Sequence, residues 1–171
     1  MELSIVPVGT VPNALLNHLK YALPEHIGFE KVTRERDLPL PSTYDGPRKQ
    51  YCARGFFSLP IESRAGISLL VTDVDIFIEP LEYVFGHYQG RTALVSVRRL
   101  SPAFTGADNP ESLRTRSLNH SLHEIGHALG LGHCKKGCVM RLSPSVVSLD
   151  SRPIGYCPSC KKQINKSLKK K

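Results

Sequence analysis

Five side chains that commonly bind metal ions fall within twelve residues of this chain. The run HEIGHALGLGHC contains them in the order His123, Glu124, His127, His133 and Cys134. On a helix, His123 and His127 lie one turn apart on the same face, so their imidazoles can share one cation. Glu124 lies beside them and could accept a proton from water held by that cation. This spacing predicts a metal site suited to hydrolysis.

Gly130 and His133 extend the pattern to H-E-x-x-H-x-x-G-x-x-H. Glycine adopts positive φ without a steric penalty, so Gly130 can end the helix and turn the chain back towards the metal. His133 can then supply a third ligand. Three histidines with one open coordination position are the arrangement of a catalytic zinc rather than of a structural one.

The predicted reaction is the hydrolysis of a peptide bond. Zinc held by His123, His127 and His133 would lower the pKa of its bound water and polarise the scissile carbonyl. Glu124 would act as general base, taking the water proton and passing it to the leaving amine. Two other functions fit parts of the sequence: a nucleic-acid-binding zinc module, and a zinc-binding adaptor without efficient peptidase activity.

Four further histidines lie outside this pattern. His120 precedes His123 by three residues and is expected either at the surface or in support of a ligand. His18, His26 and His87 have no ligand-like spacing and are predicted to carry no function.

The cysteines predict a second metal site. Cys134, Cys138, Cys157 and Cys160 form two pairs separated by eighteen residues, a spacing that suits a closed, structural four-cysteine zinc. No secretory signal is visible, so we expect a cytoplasmic protein, and in a reducing compartment paired cysteines bind metal more often than they form disulfides. Disulfide pairing and a C-x-x-C redox motif are the alternatives. Cys52 has no partner left and is predicted to be a buried or free thiol.

The chain resembles the archaemetzincins, small zinc metallopeptidases of the metzincin clan (archaelysin family). The resemblance is carried by HEIGHALGLGHC, by Met140 in CVM, by the closing CPSC and by the upstream segments FIEPLEYVFG and ALVSVRRL. It implies an α+β fold with a metzincin-like mixed twisted sheet, an active-site helix and a small C-terminal subdomain stapled by zinc. It also implies that Met140 lies in a turn beneath the zinc-bound imidazoles; a core methionine that fills a gap is the alternative.

His133 and Cys134 are neighbours in the chain, and this relates the two predicted sites. In an extended segment their side chains point to opposite sides, so each can face its own metal. The two ions would then lie about 10 Å or more apart. A two-metal mechanism needs about 3.5–4 Å. We therefore predict two zinc ions per chain, one catalytic and one structural.

Composition predicts one globular domain. The chain has 171 residues, 40% hydrophobic and 22% charged, with no apolar run long enough to span a membrane. We predict a monomeric metallopeptidase domain at 1–160, divided into a sheet-and-helix part at 1–132 and a C-terminal part at 133–160. The last eleven residues hold six lysines and no acid, which accounts for most of the net charge of +8. Residues 161–171 are predicted to be a disordered basic tail rather than a nucleic-acid contact.

Hydrophobic periodicity and turn residues predict the elements that carry the site. Strands are expected at 3–8, 29–34, 67–72, 75–78 and 92–97, and helices at 13–23, 48–59 and from Asn109 into the histidine motif. Pro24 should stop the first helix, and the strands at 67–72 and 75–78 should lie in the middle of a sheet covered on both faces. By resemblance, strand 92–97 would be the sheet edge that binds an extended peptide; an interior strand is the alternative.

Overall fold

The structure, a computed structural model, describes residues 1–63, 65–106 and 109–169 and has an α+β fold. The strands in these residues are β1 (Glu2–Val8), β2 (Lys31–Arg34), β3 (Tyr44–Asp45), β4 (Gln50–Cys52), β5 (Ile67–Thr72), β6 (Ile76–Phe77), β7 (Gly86–Gln89) and β8 (Thr92–Ser96). The helices are α1 (Asn13–Ile27), α2 (Pro102–Thr105), α3 (Pro110–Ala128), α4 (Val146–Asp150) and α5 (Pro158–Lys169). Short 3-10 helices span Ala53–Ser58 and Arg98–Leu100.

The main sheet has five strands in the order β2-β1-β5-β8-β7. Its first three pairings are parallel, and the last, between β8 and β7, is antiparallel. Every residue of β5 is buried, as expected for a central parallel strand with both faces covered. The predicted mixed sheet and the central position of strand 67–72 are therefore confirmed. The central position predicted for strand 75–78 is wrong, because β6 is an edge strand of the small sheet β3-β4-β6.

Two apolar layers flank this sheet. Helices α1 and α3 cover one face and bury Leu19 and Leu122 against Ile5 and Leu69. The 3-10 helix Ala53–Ser58 and the small sheet β3-β4-β6 cover the other face. The second cluster contains Val6, Val8, Phe56, Leu70, Ile76 and Leu94. Because α3 also contacts β7 and β8, the active-site helix is fixed against the edge of the main sheet.

Helix α3 begins and ends at the residues that the sequence predicts. The Asn109 side chain accepts a hydrogen bond of 2.9 Å from the Glu111 N–H, which is the usual N-terminal cap. At the other end, Gly130 has a φ of +91° and donates its N–H to the His127 carbonyl over 2.8 Å. The left-handed glycine turns the chain towards the histidines of the preceding helix, as expected.

One predicted helix boundary and one predicted helix are wrong. Helix α1 continues through Pro24 to Ile27 and ends at Gly28, whose φ is 80°. Leu23 and Ile27 are buried, so the apolar face that they continue offsets the hydrogen bond lost at the proline. The helix predicted at 48–59 is instead strand β4 followed by a 3-10 helix. Here Tyr51 pairs with Ile76 in the small sheet, and tertiary pairing overrides local propensity.

Of the two positions considered for strand 92–97, the sheet edge implied by the resemblance is wrong and the interior position is confirmed. Strand β8, predicted as 92–97, lies between β5 and β7 and is therefore interior. The edge is β7, Gly86–Gln89, a segment for which no strand was predicted. Its residues are half-buried or exposed, so it lacks the apolar alternation that reveals a strand in sequence.

The predicted disorder of the lysine-rich segment is wrong for residues 161–169, which belong to helix α5. Cys160 and Ile164 are buried on one side of this helix. The Ser167 hydroxyl also donates to the Leu129 carbonyl over 2.9 Å, so α5 is docked beside the end of α3. Residues 170–171 of the predicted tail lie outside the described residues. In the part of the chain that is described, no helix combines the length and apolar character needed to cross a membrane.

Candidate active site

Helix α3 and the turn that follows it bring the three predicted histidines together. His123 and His127 lie on one face of α3, with their Nε2 atoms 3.1 Å apart. His133 follows the turn at Gly130, and one ring nitrogen from each of the three histidines lies within 4.8 Å of the others. His123 is buried, His127 half-buried and His133 exposed. The cluster is thus accessible from one side.

Backbone carbonyls fix the proton on two of these rings. His123 Nδ1 lies 2.8 Å from the Val139 carbonyl oxygen, and His127 Nδ1 lies 2.8 Å from that of Leu131. A carbonyl can only accept, so each Nδ1 carries the proton and each Nε2 presents a lone pair. Two lone pairs that face each other at 3.1 Å repel unless a cation is near. The pair therefore fits a metal ion, and burial favours the neutral, metal-binding rings by lowering the pKa of His123 to about 2.

Glu124 is buried beside this cluster. Its side chain is 7% exposed, and its Oε1 atom lies 3.2 Å from Nε2 of His120. Burial raises the pKa of Glu124 to about 7. The edge strand approaches closely because Gly86 has no side chain: a Cβ there would lie 2.8 Å from Glu124 Cγ and 2.5 Å from the Leu94 carbonyl oxygen.

A cavity of about 840 Å³ lies in front of the histidines and Glu124. Aromatic and apolar side chains form much of its wall, among them Tyr83, Phe85, Tyr88, Leu142 and Pro144. His87, predicted to have no function, also lines it. The Tyr88 ring stacks on His127, with centroids 4.9 Å apart and planes at 13°. Sequence reasoning missed Tyr88 and His87 because it did not recognise β7 as a strand.

Met140 packs against α3 beside the clustered histidines. It is fully buried, and a Cβ at Gly126 would overlap its sulfur atom. Gly126 lies between His123 and His127 in the chain. Its importance was missed, although glycine is unfavourable in a helix interior and its presence there is the signal that could have revealed a close contact.

The four predicted cysteines also converge. Their sulfur atoms all lie within 4.8 Å of one another, and the five cysteines of the chain are free thiols. The sulfur atoms of Cys134 and Cys157 are 3.9 Å apart, whereas a disulfide bond is about 2.05 Å long. Cys138, Cys157 and Cys160 are buried. Four sulfur ligands in a closed setting fit a zinc ion.

Arg152 connects helix α3 to the C-terminal segment, and its role was not predicted from the sequence. It is 3% exposed and donates to the Asn119 side chain over 2.7 Å and to the Arg141 carbonyl over 3.0 Å. Its Nη1 atom also lies 3.0 Å from His123 Nδ1. Because Nδ1 donates its proton to Val139, that approach places a positive charge beside the ring and is not a hydrogen bond.

Comparison with known proteins identifies the family. A family model described as Peptidase family M54 matches residues 61–166, the range that contains both clusters. The chain belongs to peptidase family M54.

Relatives in this family match almost the whole chain. The archaemetzincin of Methanocaldococcus jannaschii is 38% identical over 169 residues, covering 96% of this chain and 93% of its own. The crystal structure of archaemetzincin from Methanopyrus kandleri matches with a TM-score of 0.89 and 30% identity, over 99% of this chain and 96% of that one. A zinc-dependent peptidase from Methanocorpusculum labreanum matches with a TM-score of 0.83 and 26% identity, over 95% and 100%.

These matches confirm the archaemetzincin resemblance and a fold with a twisted mixed sheet and a cysteine cluster in the C-terminal region. Members of peptidase family M54 are zinc metallopeptidases, and this assignment holds for the chain. A three-histidine group and a four-cysteine group capable of holding metal are both present.

Proposed function

We propose that this protein hydrolyses peptide bonds at a zinc ion held by His123, His127 and His133, with Glu124 as general base. One observation carries the proposal. Two Nε2 lone pairs converge at 3.1 Å beside a buried carboxylate, at the wall of a cavity large enough for a peptide side chain. The zinc, when bound, supplies a Lewis acid that polarises the scissile carbonyl and activates water.

The chain's own residues set the geometry of this reaction. Hydrogen bonds from Nδ1 of His123 and His127 to backbone carbonyls hold both rings in the orientation and tautomer that ligation needs. Glu124 accepts a proton from the attacking water and delivers it to the leaving amine. Burial raises the pKa of Glu124 to about 7, and a pKa near the working pH suits a group that must take and release a proton in one cycle.

We propose that the peptide substrate binds along β7 rather than along β8. Strand β7 is the last in the strand order and pairs with β8 on one side. Three of its residues, Gly86, His87 and Tyr88, line the cavity. An extended substrate could add to this edge through backbone hydrogen bonds. Its carbonyl would then reach the histidine cluster.

The four cysteines are proposed to hold a second, structural zinc, giving two zinc ions per chain. Burial of Cys138, Cys157 and Cys160 supports a site closed to substrate. Free thiols suit a reducing compartment, and we propose a monomeric, cytoplasmic enzyme that does not require nucleic acid. Met140 is proposed to form the apolar floor under the histidines, supported by its contact with α3 at Gly126.

Replacing Glu124 by Gln tests the proposed mechanism. We expect zinc content to stay at the wild-type value, while kcat on a cleavable peptide falls by about 10²–10⁴-fold, since the amide cannot accept the proton. Glu111→Gln is the matched control, because Glu111 is exposed in the first turn of the same helix, and it should keep full activity. Full activity of Glu124→Gln would contradict the proposal. A wild-type protein loaded with zinc that cleaves no member of a peptide library would favour the adaptor alternative.

A further inference from the structure

His120 has a buried side chain with unused hydrogen-bonding capacity. It lies one helical turn before Glu124 on α3, and its Nε2 atom is 3.2 Å from Glu124 Oε1, with both side chains 7% exposed. Neither ring nitrogen completes a hydrogen bond with any residue that the structure describes. Buried polar groups are nearly always paired. An unpaired imidazole at the wall of the active-site cavity therefore calls for an explanation.

The ring of His120 is held in place by its neighbours. It stacks on His123, with centroids 5.6 Å apart and planes at 12°, and Phe85 packs edge-on against its other side at 5.7 Å and 78°. A Cβ at Gly86 would lie 2.9 Å from His120 Nε2, so the edge strand closes the space above the ring. These contacts hold Nε2 close to the Glu124 carboxylate.

We propose that His120 is a positioning residue for Glu124, donating Nε2–H to Oε1 so that the second carboxylate oxygen is directed into the cavity. Nε2 can carry a proton in the neutral ring and always does in the charged ring, so the donor role does not depend on titration. The 3.2 Å approach does not yet have the direction of a hydrogen bond. A rotation of the carboxylate supplies it, and catalytic hydrogen bonds commonly tighten when the substrate binds.

This inference rests on the proposed function, because it assigns a role to His120 only if Glu124 is the general base. The role proposed for His120 differs from that of the metal ligands. His120 would be needed for the rate of the chemical step, whereas zinc binding and substrate affinity would not depend on it.

Two substitutions at His120 test the hydrogen bond. His120→Phe keeps an aromatic ring between His123 and Phe85 but removes the N–H; kcat should fall about 10- to 100-fold, the range of a hydrogen bond to a charged group. KM should change by less than about twofold, since ground-state binding is unaffected. His120→Gln can place an amide N–H near the former Nε2 and should recover most of kcat. Zinc per chain should equal the wild-type value in both variants.

Ser117→Ala is the matched control. Ser117 is a fully buried polar residue on the same helix, and its hydroxyl also has no hydrogen-bond partner among the described residues. Its loss removes no interaction with Glu124. Full activity in Ser117→Ala shows that removal of a buried polar group from α3 does not by itself lower kcat.

A spectroscopic readout makes the test independent of activity. In a ¹⁵N–¹H spectrum of the zinc-loaded protein, the His120 Nε2–H signal is the one that disappears in His120→Phe and persists in Ser117→Ala. It should shift when Glu124 is replaced by Gln, because the acceptor changes from a carboxylate to an amide. If His120→Phe fails to fold, the signal is assigned by its loss in His120→Gln, and its shift in Glu124→Gln decides the question.

The outcomes distinguish the two proposals. An inactive Glu124→Gln combined with wild-type kcat in His120→Phe overturns the role of His120 and leaves the peptidase mechanism intact. A His120 signal that does not respond to Glu124→Gln also overturns it. Full activity of Glu124→Gln overturns both.

Discussion

The three-histidine and four-cysteine clusters differ in their access to solvent. In the histidine cluster, His133 is exposed and the ligand nitrogens border a cavity of about 840 Å³. In the cysteine cluster, Cys138, Cys157 and Cys160 are buried among apolar side chains. Both groups have the ligand types that zinc prefers. The difference in access explains why chemistry is proposed at one cluster and a structural role at the other.

The clusters also differ in how the chain assembles them. The histidines come from one helix and the turn that ends it, so local structure accounts for most of their arrangement. The cysteines come from two segments that meet through tertiary folding. The two clusters share the peptide bond between His133 and Cys134, and Cys134 donates its N–H to the Met140 carbonyl over 2.9 Å. The position of the third histidine is therefore linked to that of the first cysteine.

The largest expected effect comes from Cys157→Ser, which opens the closed cluster. Zinc per chain should fall from two to one, and most of the folding free energy, about 5–15 kcal/mol for a domain, should be lost. Elemental analysis and thermal unfolding measure both quantities. Cys52→Ser is the control, since Cys52 lies outside the cluster, and it should keep two zinc ions. Two zinc ions in Cys157→Ser would show that Cys157 is not a ligand.

A smaller effect is expected from Arg152→Met, which removes hydrogen bonds between the C-terminal segment and α3. The variant leaves Asn119 Oδ1 without its donor and removes the 3.0 Å hydrogen bond to the Arg141 carbonyl, so the free energy of unfolding should fall by about 3 kcal/mol. Chemical denaturation measures this change. Arg114→Met is the control, because Arg114 is an exposed arginine on α3, and it should change stability by no more than about 0.5 kcal/mol. Equal stability of the two variants would argue against this role of Arg152.

The smallest expected effect is that of Gly126→Ala, which tests only the packing of Met140 against α3. The new methyl group overlaps the Met140 sulfur. Because methionine is flexible, it can move aside at a cost of about 1–2 kcal/mol in the free energy of unfolding. Gly46→Ala, where a Cβ meets no atom within 4 Å, is the control for thermal unfolding. A variant about 1 kcal/mol more stable than wild type, the gain expected when alanine replaces glycine inside a helix, would show that Met140 does not press on α3.

Sequence patterns predicted the features that depend on local spacing. The histidine motif, the cap at Asn109 and the reversal at Gly130 are each set by residues a few positions apart, and the structure has all three. The convergence of the four cysteines was predicted from their arrangement as two pairs along the chain and from the family resemblance.

Tertiary contacts determined what the sequence did not reveal. Arg152 acts through partners far away in the chain, and its type alone does not distinguish it from a surface arginine. Strand β7 is short and partly exposed, so neither it nor the placement of His87 and Tyr88 was predicted. Helix α5 has a high density of lysines, which suggested disorder, yet Ile164 and Cys160 dock it.

The shared peptide bond between His133 and Cys134 also bears on the order of events during protein synthesis. The ribosome completes the histidine motif before it makes Cys157 and Cys160. Until those two residues emerge, the cysteine cluster next to His133 lacks half of its thiols. The nascent chain therefore contains Glu124 and the three clustered histidines before the second pair of cysteines exists. We therefore expect the proposed peptidase activity to appear only after the C-terminal segment has folded.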